Sequence, residues 1–216
     1  MKWKIVVWSL IALALLVVVI FLAVYERETA GLTLEKRKEM WRNARPEITS
    51  LRSGDLIFRH GRGVISNTLL KMSQKESKYS HAGVVFIEQG KVYVYHCIGG
   101  EDNPNSTMRR DRISQFCDPE IAHSFGIYRL PLGDSLNQAF LLEVQRSYDR
   151  GLLFDTAFDL STDEEQYCTE FIYKTLKSLE GIDLPISSSA FSGREYVTCD
   201  NLYLIPKTQL IHQHNY

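Results

Sequence analysis

The chain of 216 residues contains the segment SHAGVVFIEQGKVYVYHCI at positions 80–98. Two runs rich in β-branched and aromatic residues, 81–88 and 91–98, flank the dipeptide Gln89-Gly90. A short glycine-containing break between two such runs is typical of a β-hairpin turn. We therefore predict an antiparallel hairpin here.

The hairpin predicts which side chains meet across the strands. If Glu88 lies opposite Lys91, the numbers of paired residues sum to 179, and His96 lies opposite Gly83. Because side chains alternate between the two faces of a strand, His81, Gly83 and His96 then share one face. The register therefore predicts that the two histidines lie close together, and a slip of one residue would separate them.

A second segment, EEQYCTEFIYKTLKSL at positions 164–179, has the apolar spacing of an amphipathic helix. It places Cys168 in the N-terminal turn. Free backbone N–H groups and the helix dipole stabilise a thiolate at this end of a helix. Four acids near the cysteine act in the opposite direction and are expected to raise the pKa of the thiol: Asp163, Glu164, Glu165 and Glu170.

Cys168 and His81 together predict a nucleophile and its general base. The backbone N–H of Cys168 can also supply part of an oxyanion hole. The alternative is a structural role for both residues, since free cysteine is among the most buried residue types and a histidine is readily satisfied at a strand edge. His96, beside His81 in the predicted register, fits the third residue of a triad, which orients the base.

The remaining pattern predicts an α+β domain in which a mostly antiparallel sheet packs on helices. A helix is expected at 134–148 with Asp134 as its cap. One further strand is expected near 203–205 or 210–212. The other predicted elements are a strand at 55–60, a helix at 64–75 and a strand at 124–130.

Four segments, in this order along the chain, resemble the NlpC/P60 superfamily of papain-like thiol hydrolases. They are GDLIF at 54–58, YSHAGVV at 79–85, KVYVYH at 91–96 and YCTEFI at 167–172. The histidine strand precedes the cysteine helix, as in the circularly permuted YiiX/YebB-like branch. Lecithin:retinol acyltransferase-type enzymes are more distant relatives. The resemblance covers about residues 51–184 and implies a permuted papain-like fold.

The same resemblance implies Cys168 as nucleophile, His81 as base and His96 as the polar third residue. The YiiX-like group often carries an acid at the third position, so His96 departs from that pattern. Tyr167 is a candidate for positioning the substrate carbonyl, with an aromatic core residue as the alternative. His60 can line the cleft as a second substrate-binding candidate, although a solvated basic loop is the simpler interpretation of residues 59–63.

Residues 5–25 form an uncharged apolar run, long enough for one transmembrane helix. A cleaved signal peptide is the alternative, but its apolar region is shorter. We therefore predict an anchor at 1–25, a stalk or lead-in helix at 26–50 and the hydrolase domain at 51–216. The charges that flank the run favour a cytoplasmic domain, but long domains cross the membrane largely regardless of such charges. The periplasmic or outer side is predicted because a cell-wall substrate requires it.

The composition excludes several classes of protein. A net charge of -1 gives no reason to expect nucleic acid as a partner. The sequence has no C-x-x-C pair, no H-E-x-x-H and no G-x-x-x-x-G-K-[ST] segment, so no metal site and no cofactor are predicted. Four cysteines are too few for a disulfide scaffold, although two of Cys97, Cys117 and Cys199 could pair in an oxidising compartment.

The sequence as a whole predicts a membrane-anchored thiol hydrolase that cleaves an amide or ester bond through an acyl-enzyme. The predicted substrate is a cell-wall peptide or an acyl lipid, and transfer of the acyl group to an acceptor other than water remains open. The alternative is a catalytically inactive module of the same fold that binds wall peptide, lipid or a partner protein.

Overall fold

The computed structural model describes residues 16–17, 31–100, 103–191 and 193–216. Most of the predicted anchor and the first residues of the predicted stalk lie outside these ranges. Among the described residues, no helix has the length and apolar character needed to cross a membrane. Two compact units are present, Met1–Lys36 and Arg37–Tyr216. The division into anchor, stalk and domain stays a prediction.

The second unit contains a six-stranded sheet in which every neighbouring pair is antiparallel. The spatial order of its strands is β4-β3-β2-β1-β5-β8. Their bounds are β1 Leu56–Gly61, β2 His81–Glu88, β3 Lys91–His96, β4 Arg109–Arg112, β5 Ala122–Arg129 and β8 Gln209–Asn215. A separate two-stranded ribbon joins β6 Ser189–Phe191 to β7 Arg194–Tyr196.

Six α-helices and one 3-10 turn at Ile48–Ser50 accompany these strands in the described residues. The helices are α1 Leu34–Ala44, α2 Val64–Met72, α3 Ile113–Phe116, α4 Asp134–Asp149, α5 Cys168–Lys177 and α6 Cys199–Tyr203. The sequence-based expectation of an α+β domain with an antiparallel sheet packed on helices is thus confirmed for the second unit.

The predicted hairpin register is correct. Glu88 pairs with Lys91, and the pairing continues in step to Val84 opposite Tyr95. The turn residues Gln89 and Gly90 both have positive φ, 49° and 72°. This is the backbone of a type I′ turn, whose twist matches that of the strands it joins.

The two faces of the sheet are buried in two separate cores. On one face, Phe58, Val84 and their neighbours pack with α4 and α5, including Phe171 of α5. On the other face, Val85, Val94 and Phe125 pack with Phe116 of α3. Because both faces are covered, alternate residues of β2 pack in different cores, and all residues from 81 to 85 are buried.

The predicted helix at 164–179 begins later than expected, at Cys168. Residues before it are drawn into extended pairing, since Glu165 bridges Leu153 and the N–H of Gln166 donates to the Leu153 carbonyl at 2.9 Å. Glu170 then caps the helix by accepting a 3.1 Å hydrogen bond from the N–H of Tyr167. Cys168 is therefore the first residue of α5.

One further expectation needs correction, and one open alternative is decided. Asp134 is the first residue of α4 and pairs with Arg52, and Gly133 occupies the cap position. Of the two alternatives for the last strand, the one near 210–212 is right, because Tyr203 ends helix α6. The sequence analysis did not predict β4, the ribbon β6–β7, or the short helices α3 and α6.

Candidate active site

The thiol of Cys168 lies against the first residues of β2. The backbone N–H of Ala82, the residue after His81, is directed at the sulfur. Ala82 precedes Val84 by two residues, and Val84 is the last residue of β2 that pairs with β3. Helix α5 packs on β2, and Cys168 is only 6 % exposed. The fold therefore delivers the start of the cysteine helix to the start of the histidine strand.

Burial is the largest influence on this thiol and raises its pKa. Four groups act in the opposite direction: the N–H of Ala82, the N–H of Thr169, the guanidinium of Arg59 and the hydroxyl of Thr169. The predicted main cause, the acids around the cysteine, is thus replaced by desolvation. Asp163, for example, is an exposed residue. Burial also raises the pKa of the capping Glu170, to about 7.

The two histidines meet as the register predicts. His81 Nε2 lies 2.9 Å from His96 Nδ1, and both rings contact Phe116, at centroid distances of 5.4 and 5.1 Å. Gly83 lies between the two histidines on this face. A Cβ atom there would fall 2.5 Å from Val94 Cγ1 and 3.2 Å from His96 Cβ, so only glycine allows the strands this approach.

An acid that the sequence analysis missed completes this chain of side chains. Asp111 Oδ2 lies 3.1 Å from His96 Nε2. Its other oxygen accepts hydrogen bonds from Arg109, at 2.9 Å from Nη2 and 3.2 Å from Nε. In strand β4, Asp111 pairs with Val94, two residues before His96, and therefore lies on the same face. The available signal in the sequence was an aspartate inside the charged run RRDR at 109–112. Such a run is typical of an exposed loop.

The hydrogen bonds determine which nitrogen of each histidine carries the proton. Burial raises the pKa of Asp111, but its hydrogen bonds to His96 and Arg109 lower it, and the net effect is a lowering. The group is therefore an ionised carboxylate, which only accepts hydrogen bonds. Burial lowers the pKa of His96 to about 4 and that of His81 well below its usual value. In neutral rings, His96 then donates through Nε2 to Asp111, and His81 donates through Nε2 to His96. His81 Nδ1 is left unprotonated, as a general base requires.

A narrow cavity opens beside the cysteine. The described residues that line it carry no formal charge. Tyr167 forms part of its wall, and its hydroxyl accepts a 2.8 Å hydrogen bond from the N–H of Val197. The full lining is Leu69, Met72, Tyr79, Ser80, Phe158, Tyr167, Cys168, Thr169, Tyr196, Val197, Thr198 and Cys199.

His60 does not share this cavity. Its ring packs on His123 at a centroid distance of 4.8 Å, and its Nε2 lies 3.4 Å from Asn67 Oδ1. The cavity wall is formed by other residues, so the geometry gives no support to a substrate-binding role for His60. Its neighbour Arg59 belongs both to the predicted strand at 55–60 and to the basic segment 59–63, and the structure places it as a buried residue of β1.

The other cysteines are buried in the described domain and free of disulfides. Cys97 lies in the core on the opposite face from His96, as alternation predicts. Burial raises the pKa of Cys97, Cys117 and Cys199 well above the ordinary value for a thiol. Within the described ranges, no group of three or more histidine, cysteine or acidic side chains could hold a metal ion.

Residues 50–200 match the model of a family described as permuted papain-like amidase enzymes, the YaeF/YiiX or C92 family. The chain belongs to this family. The predicted resemblance is therefore confirmed, as is the permuted papain-like fold. Membership supports a cysteine amidase in general, and the individual roles of Cys168, His81 and His96 stay predictions.

A solved structure of another C92-type protein has a similar fold. It is the crystal structure of YiiX from Escherichia coli O157:H7, described as a metalloprotein. The two chains share 16 % identity and a TM-score of 0.62, over 77 % of this chain and 99 % of YiiX. A likeness at this identity concerns the fold alone. No curated protein matches the chain.

Proposed function

We propose that this member of the C92 family is a cysteine amidase in which Cys168 is the nucleophile and His81 the general base. The observation that carries the proposal is the chain Asp111–His96–His81, which ends at the strand residue next to the Ala82 N–H facing the thiol. A structural role for these residues would not require two buried histidines with their protons set by a carboxylate.

In the proposed reaction, His81 Nδ1 takes the thiol proton as Cys168 Sγ bonds to the amide carbonyl carbon. The N–H of Cys168, in the first turn of α5, is a donor for the oxyanion because such groups have no partner within a helix. The C–N bond breaks as the amine takes the proton from His81. Water then adds to the thioester, its proton passes to His81, and the C–S bond breaks to release the acid and regenerate the thiol.

The lining of the cavity supports a substrate with an apolar acyl part. The lining includes the apolar side chains of Leu69, Met72 and Phe158, and the described lining residues carry no charge. A cell-wall stem peptide carries ammonium and carboxylate groups, which need charged or hydrogen-bonding partners when buried. Of the two predicted substrate classes, acyl lipids therefore fit better than wall peptides.

A panel of substrates tests this proposal. Long-chain N-acyl amides and esters are expected to be cleaved with a higher kcat/KM than short charged peptide amides, because each buried CH₂ adds about 0.8 kcal/mol. Leu69→Asp is expected to lower kcat/KM for the long-chain substrates, and the exposed Leu142→Asp on α4 is the matched control. A preference for charged peptides would favour the wall-peptide alternative. Binding without turnover of any substrate would favour the inactive module.

We also propose that residues 5–25 anchor the protein in a membrane; the periplasmic or outer side, which a cell-wall substrate would require, is a separate proposal that labelling tests. The support is the uncharged run in the sequence. The full chain is expected to remain in membranes after alkaline extraction. Leu15→Arg combined with Val18→Arg is expected to release it, because each charge at a helix centre costs about 3 kcal/mol. Leu34→Arg, at an exposed apolar residue of α1, is the control.

The side of the membrane is tested by a single exposed thiol. Glu164→Cys in a Cys168→Ser background places a cysteine at an exposed position, while the other cysteines are buried. A membrane-impermeant maleimide is expected to label it in intact cells. Labelling only after lysis would place the domain in the cytoplasm.

A further inference from the structure

Arg59 is a buried cation at the centre of the site. It lies in β1, directly opposite His81 in the strand pairing, and is 8 % exposed. Its Nη1 donates to the carbonyl of Phe116 at 2.8 Å, and its guanidinium stacks over the Phe116 ring at 4.8 Å. His81 stacks on the same ring.

The positive charge of Arg59 lacks the usual compensation. Its Nε is buried without a hydrogen-bond partner. Its hydrogen bond to Phe116 goes to a neutral carbonyl, and no carboxylate in the described residues forms an ion pair with it. A buried charge is ordinarily paired. The anionic form of Cys168 is the group of opposite charge that the reaction itself creates nearby, because Arg59 lies opposite His81, and the next residue, Ala82, directs its N–H at the sulfur.

We propose that Arg59 is a positioning residue of the site, whose fixed charge favours the thiolate of Cys168 and the neutral ring of His81. The inference rests on the proposed function of those two residues. The charge stabilises the sulfur anion as the thiol proton passes to His81, and it keeps the resting His81 unprotonated before each step in which this ring takes a proton, first from the thiol and then from water.

Other charged and titratable groups interact with Arg59, Cys168 and His81. Arg59 also interacts with Cys117 after α3 and with Asp111 and Arg109 of β4. Cys97 and Cys199 interact with Cys168, and His96 interacts with His81. Arg59 lowers the pKa of Cys168, His81 and His96. Removal of its charge is therefore expected to raise the pKa values of Cys168, His81 and His96, while Asp111 and the other thiols remain in place.

The test is the pH dependence of iodoacetamide alkylation at Cys168 in the full-length protein, read by mass spectrometry of the peptide. In Arg59→Met the alkylation profile is expected to move to higher pH by about one unit, as for loss of a nearby charge. Arg59→Lys keeps the charge and is expected to restore the wild-type profile. Arg62→Met is the matched control, because this arginine is exposed and directly follows β1, and it should leave the profile unchanged.

Each outcome separates the two proposals. A reactive Cys168 in the wild type, with a profile unchanged in Arg59→Met, overturns the role of Arg59 and leaves the amidase proposal standing. A wild-type Cys168 that reacts no faster than Cys97 or Cys199 overturns both. A shifted profile in Arg59→Lys equal to that in Arg59→Met indicates a packing role and also overturns the inference.

A second measurement decides the matter if Arg59→Met does not fold. A buried cation beside the sulfur favours an anionic reagent over a neutral one. In the wild type, the ratio of iodoacetate to iodoacetamide rates at Cys168 is expected to exceed the ratio for the same thiol in the unfolded chain. A ratio equal to or below that of the unfolded chain contradicts the inference.

Discussion

Replacing Cys168 by serine is expected to lower kcat/KM for any amide substrate by at least about 10³-fold. The hydroxyl has nearly the size of the thiol, so the change preserves the packing of the first turn of α5. It removes the proposed nucleophile, because a serine hydroxyl has a far higher pKa than a thiol. The measurement is steady-state hydrolysis of the best substrate of the panel, with thermal unfolding to confirm that the fold persists.

Cys199→Ser is the matched control for this experiment. Cys199 also begins a helix, α6, and also lines the cavity. It does not face the N–H of Ala82, and burial raises its pKa well above that of an ordinary thiol. We expect this variant to lose less than about tenfold in kcat/KM. Equal losses in the two variants would mean that Cys168 supports the fold rather than the chemistry.

Replacing Asp111 by asparagine is expected to lower kcat/KM by about 10²- to 10⁴-fold, the upper end being the loss when a triad acid becomes its amide. Arg109 donates to the Oδ1 side of residue 111. It would therefore hold the amide oxygen of the asparagine and turn the NH₂ group toward His96 Nε2. Because that nitrogen must then accept, His96 carries its proton on Nδ1 and donates it to His81.

The change at residue 111 affects the thiol through the rings of His96 and His81. His81 Nε2 becomes an acceptor, its proton moves to Nδ1, and the general base is lost. The rate of Cys168 alkylation at neutral pH is expected to fall in Asp111→Asn and to approach the wild-type rate at high pH, where hydroxide removes the thiol proton. Asp118→Asn, in an ion pair with Arg37 away from the histidines, is the control. Activity above about a tenth of wild type in Asp111→Asn would show that the chain of hydrogen bonds does not set the base.

The register of the hairpin was predictable because it depends on local chemistry. Gln89-Gly90 supplies the two positive φ values of the turn, and a two-residue turn leaves one register in which Glu88 meets Lys91. His81 and His96 then follow from alternation alone. The cysteine helix was predictable from its apolar period, but its start was not, because Glu165 and Gln166 are extended by pairing with the distant Leu153.

Asp111 and Arg59 could not be found in this way. Residues 109–112 are all charged, so neither hydropathy nor period marks them as a strand, and only pairing with β3 makes them one. Arg59 sits beside His60 in a basic segment typical of a surface loop. Its side chain is buried because β1 is a central strand whose face is covered here by Phe116 of α3.

The sequence by itself determined the elements that carry the thiol and the two imidazoles, the family to which the chain belongs, and the face that the histidines share. The elements and the shared face depend on turn chemistry and periodicity over a few residues, and the family depends on the resemblance of four short segments, so none of them needs knowledge of distant contacts. Only the tertiary structure decided the surroundings of the thiol: the acid that orients His96, the unpaired guanidinium of Arg59 and the apolar cavity. Their effects come from burial and from charges brought together by strand order, and those quantities do not exist until the sheet is assembled.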